Sequence, residues 1–227
     1  MMCGDIRAVI WDMDGIIADT ADFHMAAWQE IFRKRGVEFT EEDFRHTFGQ
    51  RNDITIRGVL GADVSREEIE RIGNEKEADY RHRIRQNIAP LPGVISLLES
   101  LAGSGFRQAV ASSAPFKNVR QILTSLDIES FFSSVISEKD VSEGKPSPQA
   151  FLLAAQRLGV NPACCVVIED AVAGVAAARR GGMRCIAVTN THPRERLGEA
   201  DLIVDSLEKV GIAVFEDLLS RKSKQVQ

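Results

Sequence analysis

The sequence predicts an α/β protein with a doubly wound parallel sheet and a small all-helical domain inserted into it. Six short apolar runs rich in β-branched residues occur along the chain, and segments with helical spacing alternate with them. The first two runs, ending near residue 12 and starting near residue 106, are separated by more than ninety residues. Because a strand–helix–strand crossover needs only about 30 residues, the excess predicts an insertion.

Most predicted strands are continuous apolar runs, which are typical of parallel strands buried on both faces. They span residues 7–11, 106–111, 134–136, 165–168, 185–188 and 202–204. The predicted helices between them span residues 93–102, 119–126, 149–158 and 171–180, and Gly181 and Gly182 end the last one. The alternation indicates right-handed βαβ units in a Rossmann-like sheet.

The inserted segment shows helix signals and no strand signal. A helix is predicted over residues 21–35, with core positions at Phe23, Ala27, Trp28, Ile31 and Phe32. Thr40 and Ser65 each begin a further helix, the second with a full capping box, and residues 89–93 form a proline-rich return linker. We therefore predict an α/β core domain over residues 1–18 and 91–227. A helical cap domain over residues 19–90 would cover the carboxyl ends of the strands.

The amino-acid composition indicates which classes of partner and which cellular compartment to expect. The 227 residues carry 28 Lys and Arg against 33 Asp and Glu, and this net charge of −5 disfavours nucleic-acid or anionic-membrane partners. No window approaches the roughly 18 apolar residues of a membrane span, and Met1–Asp5 lack a signal-peptide layout. We expect a cytoplasmic monomer with reduced thiols at its four cysteines, Cys3, Cys164, Cys165 and Cys185.

Acidic residues follow two of the predicted strands. Asp12 and Asp14 follow the first strand, and Glu169 and Asp170 end the fourth. A solvated turn explains the first pair equally well in isolation, because Asp is a common turn residue. The adjacent acids of the second pair repel one another, which favours a shared cation.

Two hydroxyl groups and a lysine also lie at the end of a predicted strand or just before a predicted helix. Ser112 and Ser113 end the second strand before a helix, and Lys145 precedes the helix that begins near residue 149. Alone, the serines are explained by helix capping and Lys145 by a surface charge. All these positions converge on one sheet edge, where the acids suit Mg2+ and the serines and lysine suit a phosphoryl group.

The motifs Asp12-Met13-Asp14-Gly15, Ser112, Lys145-Pro146 and Glu169-Asp170 resemble the four ordered motifs of the haloacid dehalogenase superfamily. The resemblance covers nearly the whole chain and includes the helical cap. It implies that Asp12 is a nucleophile forming an aspartyl phosphate and that Asp14 is its general acid/base. It also implies phosphate contacts from Ser112 and Lys145. The implied metal ligands are Asp12, the backbone carbonyl of Asp14, Asp170 and, directly or through an intermediate group, Glu169.

Asp14 also separates branches of the superfamily, because its dehalogenases and phosphonatases lack an acid two residues after the nucleophile. The closest pattern resembles the β-phosphoglucomutase and phosphatase branch. In that branch the cap residues corresponding to Thr20, His24, Arg51 and Lys76 lie near the substrate. Exposed helix positions are the alternative for His24, Arg51 and Lys76.

The branch's mutases follow the Ser112 position with a Ser-Lys-Asn run, whereas Ala114 and Pro115 offer no side-chain donors. Lys117 and Asn118, one turn later, are possible substitutes. We therefore predict magnesium-dependent hydrolysis of a small phosphorylated metabolite, such as a sugar phosphate, through an aspartyl phosphate. The alternatives are a β-phosphoglucomutase and, from another class, a non-catalytic binding protein with the same fold.

Overall fold

A computed structural model describes residues 6–85 and 87–221 of the chain. Its six strands form one parallel sheet in the order β3-β2-β1-β4-β5-β6. The strands are β1 (Ala8–Trp11), β2 (Arg107–Ala111), β3 (Ser134–Ile136), β4 (Cys165–Glu169), β5 (Arg184–Val188) and β6 (Leu202–Val204). The prediction of a doubly wound parallel sheet is confirmed, and the strand order reverses at β1, which lies between β2 and β4.

Nine α-helices accompany the sheet in the described residues. They are α1 (Ala21–Arg33), α2 (Glu41–Thr47), α3 (Asn52–Leu60), α4 (Arg66–Ile84), α5 (Val94–Gly103), α6 (Phe116–Ser125), α7 (Gln149–Leu158), α8 (Val172–Arg180) and α9 (Ile212–Ser220). Sequence analysis missed α3 and α9, and neither is capped by a side-chain hydrogen bond at its start. This removes one signal for a helix N-terminus, but α1 and α5 to α8, which were predicted, start without such a hydrogen bond as well.

Both faces of the sheet are buried. Val9 and Trp11 pack into a cluster that includes residues of α5, α6 and α9, whereas Ala8 and Ile10 pack on the opposite face against α7 and α8. The side chains of successive strand residues point to opposite faces, so a strand buried on both sides reads as a continuous apolar run. Inside the first cluster, Trp11 Nε1 donates a hydrogen bond to Gln108 Oε1 at 3.0 Å.

Helices α1 to α4 lie between β1 and β2 and form a helical insertion with its own apolar cluster. The buried members of this cluster are Trp28, Ile31, Phe32, Phe39, Ile56, Ile69 and Ile72. The chain leaves and returns through two paired segments, where Leu91 N donates to Ile17 O at 2.9 Å and Ala18 bridges to Pro90. The domain boundaries at 18/19 and 90/91 stay a prediction. The pairing agrees with them, because it places the outgoing and returning segments side by side.

The starts of α2 and α4 differ from expectation. Thr40 and Asp43 form a reciprocal capping box at α2. Ser65 accepts a hydrogen bond from Glu68 N at the start of α4, but the Glu68 carboxylate accepts hydrogen bonds from Arg71 instead of completing a box. The prediction of a full capping box at Ser65 is therefore wrong, because the Glu68 carboxylate is hydrogen-bonded to Arg71 and not to the backbone N–H of Ser65.

The thiol prediction is confirmed only in part. Cys165 and Cys185 are free and buried, whereas Cys164 is disulfide-bonded, so reduced thiols are the wrong expectation at that position. Cys3 and the rest of Met1–Asp5 lie outside the described residues. None of the described helices combines the length and the apolar composition that crossing a membrane requires.

Candidate active site

Polar side chains from three strands and one loop gather at the carboxyl edge of the sheet. Asp12 follows β1, Ser112 follows β2, Glu169 ends β4, and Lys145 lies in the loop between β3 and α7. Lys145 Nζ is 2.5 Å from Asp12 Oδ1 and 2.6 Å from Glu169 Oε1. In doubly wound sheets this edge, at the point where the strand order reverses, is the usual ligand site.

The charges at this edge depend on one another. The pKa of Asp12 is raised to about 7, mainly by burial and also by the charges of Glu169 and Asp14, although Lys145 opposes this rise. Burial alone would lower the pKa of Lys145, but the carboxylates of Asp12 and Glu169 raise it above its ordinary value. Lys145 is therefore charged, and it compensates two buried carboxylates at once.

Glu169 is fully buried, and both of its carboxylate oxygens accept hydrogen bonds. Its Oε2 accepts from the backbone N–H groups of Asp170 and Ala171, both at 2.7 Å, and its Oε1 accepts from Lys145. Gly174 of α8 makes room for this carboxylate, because a Cβ at position 174 would lie 1.7 Å from Glu169 Oε1. The side chain is thus held in one position by the start of α8.

Asp12, Glu169 and Asp170 form a cluster suited to a cation. Each offers a carboxylate oxygen, and these oxygens lie within 4.8 Å of one another. Burial, together with the charges of Glu169 and Asp12, raises the pKa of Asp170 well above its ordinary value. A set of crowded carboxylate oxygens fits a hard divalent cation, which would stabilise the ionised forms.

The Asp14 carboxylate lies outside that cluster and faces the helical insertion. Thr20 Oγ1 donates to Asp14 Oδ1 at 2.5 Å, and His24 Nε2 lies 3.5 Å from the same oxygen. Burial would raise the pKa of Asp14, but hydrogen bonds from His24 and Thr20 and the charge of Lys76 lower it overall. Two carboxylates two residues apart thus occupy different environments.

Lys76 of α4 orients His24. Its Nζ lies 2.8 Å from His24 Nδ1 and 2.8 Å from Glu77 Oε1. Because an ammonium group can only donate, Nδ1 accepts, and the proton of a neutral imidazole is on Nε2, facing Asp14. Burial and the charge of Lys76 lower the pKa of His24, which favours this neutral form. Tyr80 stacks on the imidazole at 4.0 Å between ring centroids.

The two predicted phosphate-binding serines differ in position. Ser112 is buried, and its Oγ accepts from Ala114 N at 3.0 Å, which fixes the turn before α6. Ser113 is half-buried and lines a cavity beside Asp14 and His24. Both hydroxyls therefore lie at the sheet edge, but only Ser113 lines the cavity itself.

This cavity lies between the sheet edge and the inserted helices. It contains His24, Arg51 and Lys76, the cap residues predicted to approach the substrate, while Thr20 contacts Asp14 behind it. Aromatic side chains from α1, from α2 and from the residue directly after α2 form its apolar wall, namely Trp28, Phe44 and Phe48. Arg51 differs from the other two because it is 42% exposed and its Nε pairs with Asp53 Oδ1 at 3.3 Å.

The loop after β5 also belongs to the site, although it was not predicted from the sequence. Thr191 Oγ1 donates to Asp170 Oδ2, and Asn190 Nδ2 donates to Gly15 O at 2.7 Å. Gly15 has φ +77°, and a Cβ there would lie 2.0 Å from Asp170 Oδ2, so glycine is required. The signal was available, because polar residues directly after β5 reach the same sheet edge as those after β1 and β4.

A second network was also missed. Glu77, buried on α4, accepts from Lys76, from Asn52 Nδ2 at 2.9 Å and from Asn118 Nδ2 on α6. Arg81 Nη1 in turn donates to Asn118 Oδ1 at 2.8 Å. The network joins the inserted helices to the core, and nothing in the spacing of these residues along the chain indicates that they meet.

Comparison with known proteins agrees with this architecture. Residues 9–188 match the family model of haloacid dehalogenase-like hydrolases. The chain is 34% identical to a β-phosphoglucomutase of Bacillus subtilis over 207 residues, covering 88% of this chain and 89% of that protein. It is 31% identical to hexitol phosphatase A of Escherichia coli over 212 residues, covering 91% and 94%.

A solved structure shows the same fold. The crystal structure of a β-phosphoglucomutase from Clostridium difficile superposes with a TM-score of 0.85 at 30% identity, covering 94% of this chain and 97% of that one. The named relatives thus include both a mutase and a phosphatase.

Proposed function

The chain belongs to the haloacid dehalogenase-like hydrolase family and is an enzyme related to its phosphatases and phosphomutases, and we propose that it hydrolyses phosphate monoesters of small sugars or polyols. The proposed reaction proceeds through an aspartyl phosphate on Asp12. The observation that carries it is the separation of the two β1 carboxylates. Asp12 lies with Lys145, and Asp14 lies with Thr20 and His24.

In the first step, an Asp12 carboxylate oxygen attacks phosphorus, and the bond from phosphorus to the leaving oxygen breaks. Asp14 supplies the proton that the leaving oxygen takes up. In the second step, Asp14 accepts a proton from water, whose oxygen attacks the aspartyl phosphate. Inorganic phosphate leaves, and the Asp12 carboxylate is restored.

In this scheme the other residues compensate the charges of the phosphoryl group and the carboxylates, or orient Asp14. Lys145 and Ser112 contact the non-bridging phosphoryl oxygens, and Lys145 also keeps Glu169 compensated. His24, oriented by Lys76, donates to Asp14 and so holds it toward the leaving oxygen. Ser113 contributes a further hydroxyl from the cavity wall.

We propose Mg2+ as the cofactor. The family generally uses a divalent metal, and Asp12, Glu169 and Asp170 offer the crowded oxygen ligands that magnesium prefers, together with the backbone carbonyl of Asp14. When bound, the ion would neutralise phosphoryl charge next to these carboxylates. Thr191 and the backbone N–H groups at the start of α8 would orient Asp170 and Glu169 toward it.

A β-phosphoglucomutase is the second candidate, supported by the 34% identity to such an enzyme and by the His24–Lys76 pair. Two observations favour hydrolysis. Ala114 and Pro115 offer no side-chain donors beside the cavity. Of the two possible substitutes, Asn118 is buried and engaged with Glu77 and Arg81, and Lys117 is exposed and does not line the cavity. A mutase needs a firm hold on a second phosphate, and these residues weaken it.

A screen of phosphorylated metabolites tests the proposed function. Purified enzyme with magnesium is expected to release inorganic phosphate from one or more sugar or polyol monophosphates. The Asp12→Asn protein, purified in parallel, controls for contaminating phosphatases. Release that is equal in both preparations, or absent from every compound, would contradict hydrolysis and leave a mutase or a non-catalytic binding protein.

A further inference from the structure

Glu138 is a carboxylate of the cavity that the proposed reaction does not use. It begins the short 3₁₀ turn Glu138–Asp140 after β3. Its backbone N–H donates to Ala114 O at 3.2 Å, and Ser137 and Asp140 close the turn around it. The half-buried side chain lines the cavity that also contains Asp14, His24 and Lys76. Its backbone position beside the cavity is therefore fixed.

Within the described residues, the Glu138 carboxylate has no hydrogen-bond or ion-pair partner, because the two nearby cations pair with other carboxylates. Lys76 pairs with Glu77 at 2.8 Å, and Arg51 pairs with Asp53 at 3.3 Å. Within residues 6–85 and 87–221, no side chain donates a hydrogen bond to the Glu138 carboxylate. Burial raises its pKa, and the negative charges of Glu77 and Asp53 add to this rise, although Arg51 and Lys76 oppose it.

This arrangement has opposite consequences for two kinds of leaving group. A hydroxyl group can donate to the unpartnered carboxylate, which satisfies a polar group that substrate binding would otherwise bury unpaired. A second phosphate carries about two negative charges and would place them next to Glu138 and Glu77. The two nearby cations, Lys76 and Arg51, are already paired with other carboxylates.

We propose that Glu138 determines leaving-group specificity, selecting monophosphates with a neutral, hydroxyl-bearing leaving group and discriminating against substrates with a second phosphate. The proposal rests on the function proposed above, and it assigns a specificity-determining role to a residue outside the four motifs. The aromatic wall of Trp28, Phe44 and Phe48 agrees with it, because such side chains pack against the apolar face of a sugar.

The opposing possibility is that Arg51 exchanges Asp53 for a second phosphate. Arg51 is the more exposed of the two cations, and its pair with Asp53 is a surface pair that costs little to break. In that case the bisphosphate would bind more tightly than the monophosphate, and Glu138 would have no influence on the difference.

Calorimetric binding in the Asp12→Asn background separates these outcomes without depending on turnover. The ligands are two pairs that differ by one phosphate: fructose 1-phosphate with fructose 1,6-bisphosphate, and glucose 6-phosphate with glucose 1,6-bisphosphate, all with magnesium. Glu138→Gln is added to remove the charge at constant size. Glu143→Gln is the matched control, because Glu143 lies five residues away, is exposed and does not line the cavity.

At least one monophosphate is expected to bind more tightly than its bisphosphate. Glu138→Gln is expected to shift this preference toward the bisphosphate by about five- to tenfold, the size of a partly screened charge interaction. Glu143→Gln is expected to leave it unchanged. A bisphosphate preference, an unchanged ratio in Glu138→Gln, or no binding of either monophosphate would overturn the proposal. If the wild type fails to hydrolyse a monophosphate that the variant binds, the proposed function fails and the specificity result still stands.

Discussion

Asp12 and Asp14 show how two identical side chains acquire different chemistry. Asp12 is held by Lys145 among other carboxylates, and its pKa is raised to about 7, mainly by burial. Asp14 accepts from Thr20 and faces His24, and hydrogen bonds and nearby positive charge lower its pKa despite burial. Pairs of acids in contrasting environments are a common sign of divided catalytic roles.

Replacement of Asp12 by Asn is expected to abolish turnover and to leave the fold unchanged. The amide has nearly the same size but cannot attack phosphorus as an anion, so we expect a loss of at least about a thousandfold in kcat. Steady-state phosphate release measures the loss, and circular dichroism checks the fold. Activity above a few per cent of wild type, with deamidation excluded by mass spectrometry, would disprove the nucleophile assignment.

The sequence reveals some of these residues and hides others for a physical reason. Asp12, Ser112 and Glu169 each follow a recognisable strand, and parallel strands bring their carboxyl ends together. Glu77 and Asn118 are 41 residues apart on two helices whose relative packing no local pattern specifies. Glu138 likewise gains its place in the cavity only from the packing of the inserted helices over the sheet.

The loop from β3 to α7 positions Lys145 through its own hydrogen bonds. Gln149 Oε1, at the start of α7, accepts from Ser142 N at 2.8 Å and from Glu143 N at 3.0 Å. At the other end of the loop, Asp140 accepts from Ser137 and from Arg157. These contacts hold the segment that carries the lysine against the first turn of α7.

Gln149→Ala is expected to reduce kcat by about tenfold, because the loop loses these acceptor contacts and Lys145 loses its fixed position. Gln156→Ala on the same helix is the control, since Gln156 is exposed and far along the chain from the loop. Phosphate release by both variants, with their thermal unfolding, gives the comparison. Equal activity of the two variants would show that Gln149 does not position the lysine.

Asp140 makes the stability of this loop depend on pH. Burial alone would raise the pKa of Asp140, but hydrogen bonds from Arg157 and Ser137 lower it to about 2. Because the folded pKa is below the ordinary value of 3.8, the stabilisation is complete above about pH 4 and is lost as the pH falls toward 2.

Asp140→Asn is therefore expected to lower the free energy of unfolding by about 1 kcal/mol at neutral pH, and by less as the pH falls below about 4. Urea unfolding of wild type and variant across this pH range measures the difference. A difference that stays constant with pH would show that the ionised carboxylate is not what stabilises the loop.

Helices α3 and α9 mark where prediction of the elements ends. Helices beginning at Thr40 and Ser65 carry side-chain caps that the sequence shows directly. The starts of α3 and α9, after Arg51 and Gly211, have no such cap, and tertiary packing stabilises these helices as it does the other uncapped ones. The central strands were predictable because burial on both faces imposes continuous apolar runs, and the half-buried edge strands β3 and β6 are short apolar runs as well.

At the level of the whole molecule, the candidate active site joins two structural layers. The sheet edge supplies Asp12, Ser112, Lys145, Glu169 and Asp170, and the inserted helices supply His24 and Lys76. Contacts such as that between Arg81 and Asn118 bind the layers together next to the cavity. Substrate binding and closure of the helices over the sheet are therefore expected to be coupled.

Removal of divalent metal is expected to abolish activity and to lower the melting temperature. Without a cation, the crowded carboxylates of Asp12, Glu169 and Asp170 would repel a phosphate ester, and a ligand that binds only the native state stabilises it. Dialysis against EDTA followed by magnesium addition tests both effects. Full turnover by protein shown to be metal-free by elemental analysis would contradict the proposed cofactor.

The central claim is that the enzyme hydrolyses phosphate monoesters. Phosphorus NMR tests most directly whether the phosphoryl group goes to water or to another oxygen of the same sugar. The sample contains enzyme, magnesium, several hexose and hexitol monophosphates including β-glucose 1-phosphate, and a trace of glucose 1,6-bisphosphate as primer. We expect the inorganic phosphate signal to grow in step with the loss of one or more monoesters. Rapid conversion of β-glucose 1-phosphate into glucose 6-phosphate, with negligible inorganic phosphate, would contradict the account and identify a mutase.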